Sequence, residues 1–145
     1  MKRALISLVA ILMVAFVMLT VRPVQASHET VVTLSGDVTL APGLTLHVAA
    51  HASGPAGALS GQGFDSPFRG NPFGSPPPPG YCRFPLTGSL VGSVLTLSGN
   101  VSFSNDPSLL GIPVSITANA STGSIIFNFG GDTLTGTGSV VVAHQ

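Results

Sequence analysis

Val32-Thr33-Leu34-Ser35-Gly36-Asp37-Val38-Thr39-Leu40 alternates apolar and polar side chains around one glycine. Successive side chains of an extended strand point to opposite faces, so Val32, Leu34, Val38 and Leu40 share one face. The Ser, Thr and Asp residues share the other. Such alternation is the pattern of a half-buried strand, and burial on one side only belongs to antiparallel sheets.

The same period recurs along the chain. Leu44, Leu46, Val48 and Ala50 follow it, then Leu95, Leu97, Val101 and Phe103, and then Val114, Ile116, Ala118 and Ala120. Ile125, Phe127 and Phe129 continue it, followed by Leu134, Val140 and Val142. Ala41-Pro42-Gly43, Ser104-Asn105-Asp106-Pro107, Ser121-Thr122-Gly123 and Gly130-Gly131-Asp132 separate these runs with residues suited to turns. No amphipathic helix is evident after residue 26.

Thr33-Leu34-Ser35-Gly36 is echoed by Thr96-Leu97-Ser98-Gly99 and Thr133-Leu134-Thr135-Gly136. Leu59-Ser60-Gly61 and Leu86-Thr87-Gly88 are shorter echoes. Their irregular separations argue against a solenoid, which needs a fixed period. Glycine inside a strand marks a bulge, a bend or a close backbone approach, and repeated kinks curl a sheet. The expected fold is therefore all-β. It is a single antiparallel meander forming either a small curled β-barrel of about eight strands or a β-sandwich.

Residues 53–85 interrupt the alternation and read as a Pro/Gly/aromatic-rich loop insertion, with Pro76-Pro77-Pro78-Pro79 favouring polyproline II. This segment concentrates the candidate binding residues Phe64, Phe68, Arg69, Phe73, Tyr81 and Arg83. Aromatic and arginine side chains dominate binding hot spots, which favours a recognition loop. The competing reading makes the same aromatics a plug packed onto one end of the barrel.

Lys2, Arg3 and Arg22 flank an apolar run from Ala4 to Leu19, and Val24-Gln25-Ala26 reads as a signal-peptidase site. Residues 1–26 are expected to be a signal peptide forming a helix, and 27–145 a single secreted or cell-surface β-domain. The alternative is an uncleaved membrane anchor. Residues 27–145 carry Arg69 and Arg83 against Glu29, Asp37, Asp65, Asp106 and Asp132, a formal charge of −3 without any lysine. So few cations exclude nucleic acid and anionic membrane surfaces as partners, because both require Lys/Arg against phosphate.

No cofactor motif, metal-ligand set or catalytic group is assigned. His47 and His51 have helical chelate spacing, but on a strand four residues separate them by about 13 Å, too far for one ion. Asp106 and Asp132 lie in turns where Asp is simply favoured. Cys82 is the sole cysteine, so it has no intrachain disulfide partner, and a disulfide-linked dimer through it remains open. These readings point to a non-enzymatic surface, matrix or interaction protein whose partner is a protein, a glycan or a small apolar ligand. The alternatives are a small apolar-ligand-binding barrel and a hydrolase or isomerase assembled on a barrel.

Overall fold

The computed structural model describes residues 28–67 and 80–145. The expected leader helix, Phe68, Arg69, Phe73 and the four-proline run lie outside the described residues. Nine strands follow one another: β1 (Thr30–Ala41), β2 (Leu44–Gly54), β3 (Leu59–Ser66), β4 (Cys82–Val91), β5 (Val94–Asn100), β6 (Phe103–Ser104), β7 (Pro113–Asn119), β8 (Ser124–Phe129) and β9 (Asp132–His144). The pairings β3–β4 and β1–β9 close a ring of eight antiparallel strands, β1-β2-β3-β4-β5-β7-β8-β9. The fold is thus a barrel rather than a sandwich. Strand β6 is the extra strand, paired with Cys82 and Arg83 at the start of β4.

An eight-strand barrel leaves an interior just wide enough for side chains. Here they fill it. Leu34, Leu97, Ile116 and Phe127 are each at most 1 % exposed. Phe84 and Phe127 stack at the centre with ring centroids 6.1 Å apart.

The repeated Leu-Ser/Thr-Gly units are the devices that bend this sheet. In each, the leucine points inward and is buried: Leu34, Leu59, Leu86, Leu97 and Leu134. The polar residue points outward, and the glycine lies inward where a neighbouring strand crosses closely. A Cβ at Gly61, Gly88, Gly99 or Gly136 would fall within 3.0 Å of a carbonyl oxygen on the adjacent strand. Gly36 is crowded too, less severely, by the Ile125 side chain and the Thr137 carbonyl. Sharp coiling of the strands requires these positions to lack a side chain.

The outer face is largely Ser and Thr, as in the row Thr87, Ser98, Ser115, Asn128 and Thr133 on β4, β5, β7, β8 and β9. Apolar inside and polar outside is the reverse of a membrane-spanning barrel, whose lipid face is apolar.

Two expectations are corrected. Residues 53–85 are not one loop: β3 occupies Leu59–Ser66, and β4 begins at Cys82. The inward row of β3 is Leu59, Gly61, Gly63 and Asp65, with a single large apolar residue, so its period is invisible to hydropathy. Pro85 also sits within β4, between the stretch paired with β6 and the stretch paired with β5. The second correction concerns Leu40, Leu44 and Phe103, expected to point inward but 40–50 % exposed. Leu40 and Leu44 lie beyond the packed interior at the barrel rim. The irregular residues Val101 and Ser102 change the phase, so Val101 is buried while Phe103 joins the outer face beside Arg83.

The two barrel ends differ. At the tight end, β2–β3, β4–β5 and β7–β8 are joined by short connections such as Gly92-Ser93. At the loop end lie the connection from β3 to β4, the β5–β7 connection with β6 and a 3-10 turn (Pro107–Leu109), and two short turns.

Candidate functional site

Two concave regions flank the β3–β4 pair, one outside the barrel and one at its loop end. The outer groove holds about 490 Å³. Register builds it from cross-strand rows. Ser35, Ala49, Phe64 and Arg83 align across β1–β4, and Thr33, His51 and Gln62 align one step away. Ser53 and Ser60 extend it toward the tight end, while Gly61 and Gly63 leave bare backbone in its lining. Two of its polar side chains are already oriented, with Thr33 Oγ1 and His51 Nδ1 3.2 Å apart.

Along one edge, the candidates Phe64, Tyr81 and Arg83 come together. Phe64 lies 6.1 Å from the Tyr81 ring, and Tyr81 lies 6.2 Å from Phe103. Arg83 Nε donates to the Tyr81 hydroxyl at 3.3 Å, and its guanidinium carbon sits 5.9 Å from the Phe103 ring centroid. A guanidinium seated on an aromatic face and tied to a phenol is held in one orientation. Tyr81 is 1 % exposed although its position alternates outward with Arg83. Its role here is support, since it holds Arg83 and packs against Phe64. Phe103, His51 and Gln62 were not among the sequence candidates; only cross-strand register brings them here. Phe68, Arg69 and Phe73 lie outside the described residues.

The second region is a cavity of about 170 Å³ in the loop-end mouth. Among the described residues its lining is mostly apolar, including Leu40, Leu46, Leu109, Phe129 and Leu134, with Asp65, Cys82 and Asp132 as the titratable groups. Asp65 pairs in register with Cys82 and is 2 % exposed. Burial pushes its carboxyl up to about 7, although hydrogen bonds from the Cys82 backbone and side chain partly oppose this. Burial likewise pushes the Cys82 thiol up to about 12, against a hydrogen bond with Ser104 at 3.5 Å. At neutral pH Cys82 is therefore a thiol rather than a nucleophilic thiolate. Its burial also opposes an intermolecular disulfide, which would require the mouth to open. At the surface nearby, Asp106 caps the 3-10 turn, and the hydrogen bonds it accepts from Ser108 lower its pKa.

His47 and His51 both lie on strand β2, as the alternation implies. Each meets a β1 side chain: His47 Nδ1 is 2.9 Å from Asp37, and His51 is beside Thr33. Among the described residues no group of three His, Cys, Asp or Glu side chains is arranged to hold a metal ion. Comparisons with protein families, curated proteins and solved structures yield no match.

Proposed function

We propose that this protein is an exported, non-enzymatic interaction domain that takes a glycan chain in the outer groove of β1–β4. The observation that carries the reading is the distribution of space. The barrel interior is packed around Phe84 and Phe127, whereas the larger of the two open volumes lies on the outside, against Phe64, Tyr81 and Arg83. A packed interior argues against an enclosed apolar-ligand carrier of the large-cavity kind. Hydroxyl, amide and imidazole groups from Thr33, Ser35, His51, Ser53, Ser60 and Gln62 supply donors and acceptors suited to sugar hydroxyls. Phe64 supplies an apolar face for a sugar ring, and the small residues between leave room for a chain. The described lining of the groove comes mainly from strands β1–β4, so little ordering of these residues accompanies binding.

The enzymatic alternative draws on the loop-end cavity, where Asp65 is held near neutrality. Its weakness is Cys82, the nearest nucleophile, which burial keeps protonated.

Nitrogen-15 NMR with soluble hexasaccharides of glucose, xylose and N-acetylglucosamine tests the glycan reading. At least one sugar should shift resonances clustered on Thr33, His51, Gln62 and Arg83. Gln62→Ala, a change at an exposed position, should then weaken that binding about tenfold, the loss of roughly one hydrogen bond to a ligand. Shifts absent for all three sugars, or confined to the loop end, would remove the reading.

A further inference from the structure

We infer that the loop-end cavity is a binding site for a small organic cation, an ammonium group carrying a short apolar or aromatic tail. This site is separate from the outer groove and does not depend on its function.

Three observations carry the assignment. First, the described residues leave a half-open recess beside the packed interior, and about 170 Å³ equals the liquid volume of roughly five or six water molecules. That suits a molecule the size of a simple amine rather than a lipid or a sugar chain. Second, its wall combines aliphatic side chains with the Phe129 ring, a surface that favours an apolar tail and, at the ring face, a cation. Third, Asp65 faces this space while almost wholly buried, and Asp132 stands in the same lining. Among the described residues no basic side chain lines the cavity. A buried carboxylate without a counter-cation is costly, and an incoming ammonium would neutralise it.

The groups around Asp65 give the site its sign. β4 presents the neutral Cys82 thiol, β2 presents Val48 in register with Asp65 and Leu46 in the cavity wall, and β9 presents Asp132. Asp106 adds a further negative charge near Cys82. Arg83 and His47 belong to the opposite, outer face of the sheet. The cavity therefore attracts cations and disfavours carboxylates.

Binding an ammonium requires Asp65 to be ionised, so protons and ligand compete. Affinity should weaken about tenfold for each pH unit below 7, because only the ionised fraction is competent.

The test uses benzylammonium, benzyl alcohol and benzoate, followed by NMR on the full folded protein at pH 8 and pH 5. Benzylammonium should bind at pH 8, with shifts at Cys82, Leu109 and Leu134, and should weaken at least tenfold at pH 5. Benzyl alcohol and benzoate should bind at least tenfold more weakly at pH 8. Asp65→Asn should abolish the preference for the cation, and Leu109→Phe should block binding by filling the cavity while leaving Asp65 in place. Gln62→Ala, in the outer groove, should change nothing. The inference is overturned by equal binding of the alcohol or the carboxylate, by undiminished binding to Asp65→Asn, or by no binding at pH 8. Should Asp65→Asn fail to fold, Leu109→Phe decides: unchanged benzylammonium binding in that variant also overturns the site.

Discussion

The barrel centre and its loop end solve the same problem, what to place inside a ring of strands, in opposite ways. At the centre, Phe84 and Phe127 stack, and Leu34, Leu97 and Ile116 pack around them with no polar group. At the loop end the inward row of β3 passes through Gly63 to Asp65, and a cavity replaces the packing. The first arrangement buys stability; the second gives stability up for a titratable carboxylate in an apolar setting. Among the described residues, the buried titratable groups Asp65 and Cys82 thus sit where the packing pattern lapses.

The largest expected effect tests the centre. Phe127→Ala should destabilise the domain by about 3–5 kcal/mol, read by denaturant unfolding, because it opens a cavity that stacked neighbours cannot collapse into. Leu109→Ala at the loop end should cost clearly less, since Leu109 already borders empty space. Equal costs would erase the distinction between the two regions.

Asp65 comes next, and its sign is opposite to that of most carboxylates. Its folded pKa, about 7, lies above its ordinary value of 3.8, so the folded state holds a proton that the unfolded state releases. Stability should therefore fall as pH rises from about 4 to 7 and then level off. Asp65→Asn should flatten this dependence and raise stability at pH 8 by an amount on the order of 2–4 kcal/mol. A wild-type stability that increases from pH 4 to 7 without that loss would show that Asp65 is ionised at little cost.

Gly99→Ala probes the bends rather than the filling. Its Cβ would meet the Pro85 carbonyl, so a loss of about 1–3 kcal/mol is expected in thermal or chemical unfolding. An unchanged midpoint would mean that the strand can shift there freely. The smallest effect belongs to the outer face, where His47→Ala removes the contact with Asp37. A partly exposed pair of this kind is worth about 0.2–1 kcal/mol, readable by a double-mutant cycle with Asp37→Ala.

The same contrast explains what could be read from the chain. The inward faces of β1, β5, β7 and β8 were legible because apolar residues, broken by glycine at positions 36 and 99, stand at alternate positions. The Leu-Ser/Thr-Gly echoes pointed to curling for the right physical reason, since their glycines are the close crossings of the strands. Strand β3 escaped because its inward positions are Gly61, Gly63 and Asp65, which carry no hydropathic signal. Asp65 escaped with it: a carboxylate beside Pro67 reads as loop until the register with Cys82 turns it inward. Phe64, Tyr81 and Arg83 were legible as a composition, but their partners Gln62, His51 and Phe103 depend on cross-strand alignment that no local pattern encodes.

The pairing of β1 with β9 has a temporal consequence. Thr30 lies opposite His144, and the Gln145 amide donates to the Glu29 carbonyl at 2.8 Å. The first strand of the ring waits for the last, so the folding chain holds an open sheet with two bare edges until β9 is in place. Short hairpins can form early, but ring closure is a single late event with the longest possible sequence separation, and such contacts are slow to form. Removing β9 would therefore leave an unzipped ribbon, prone to pair with its neighbours, rather than a smaller barrel.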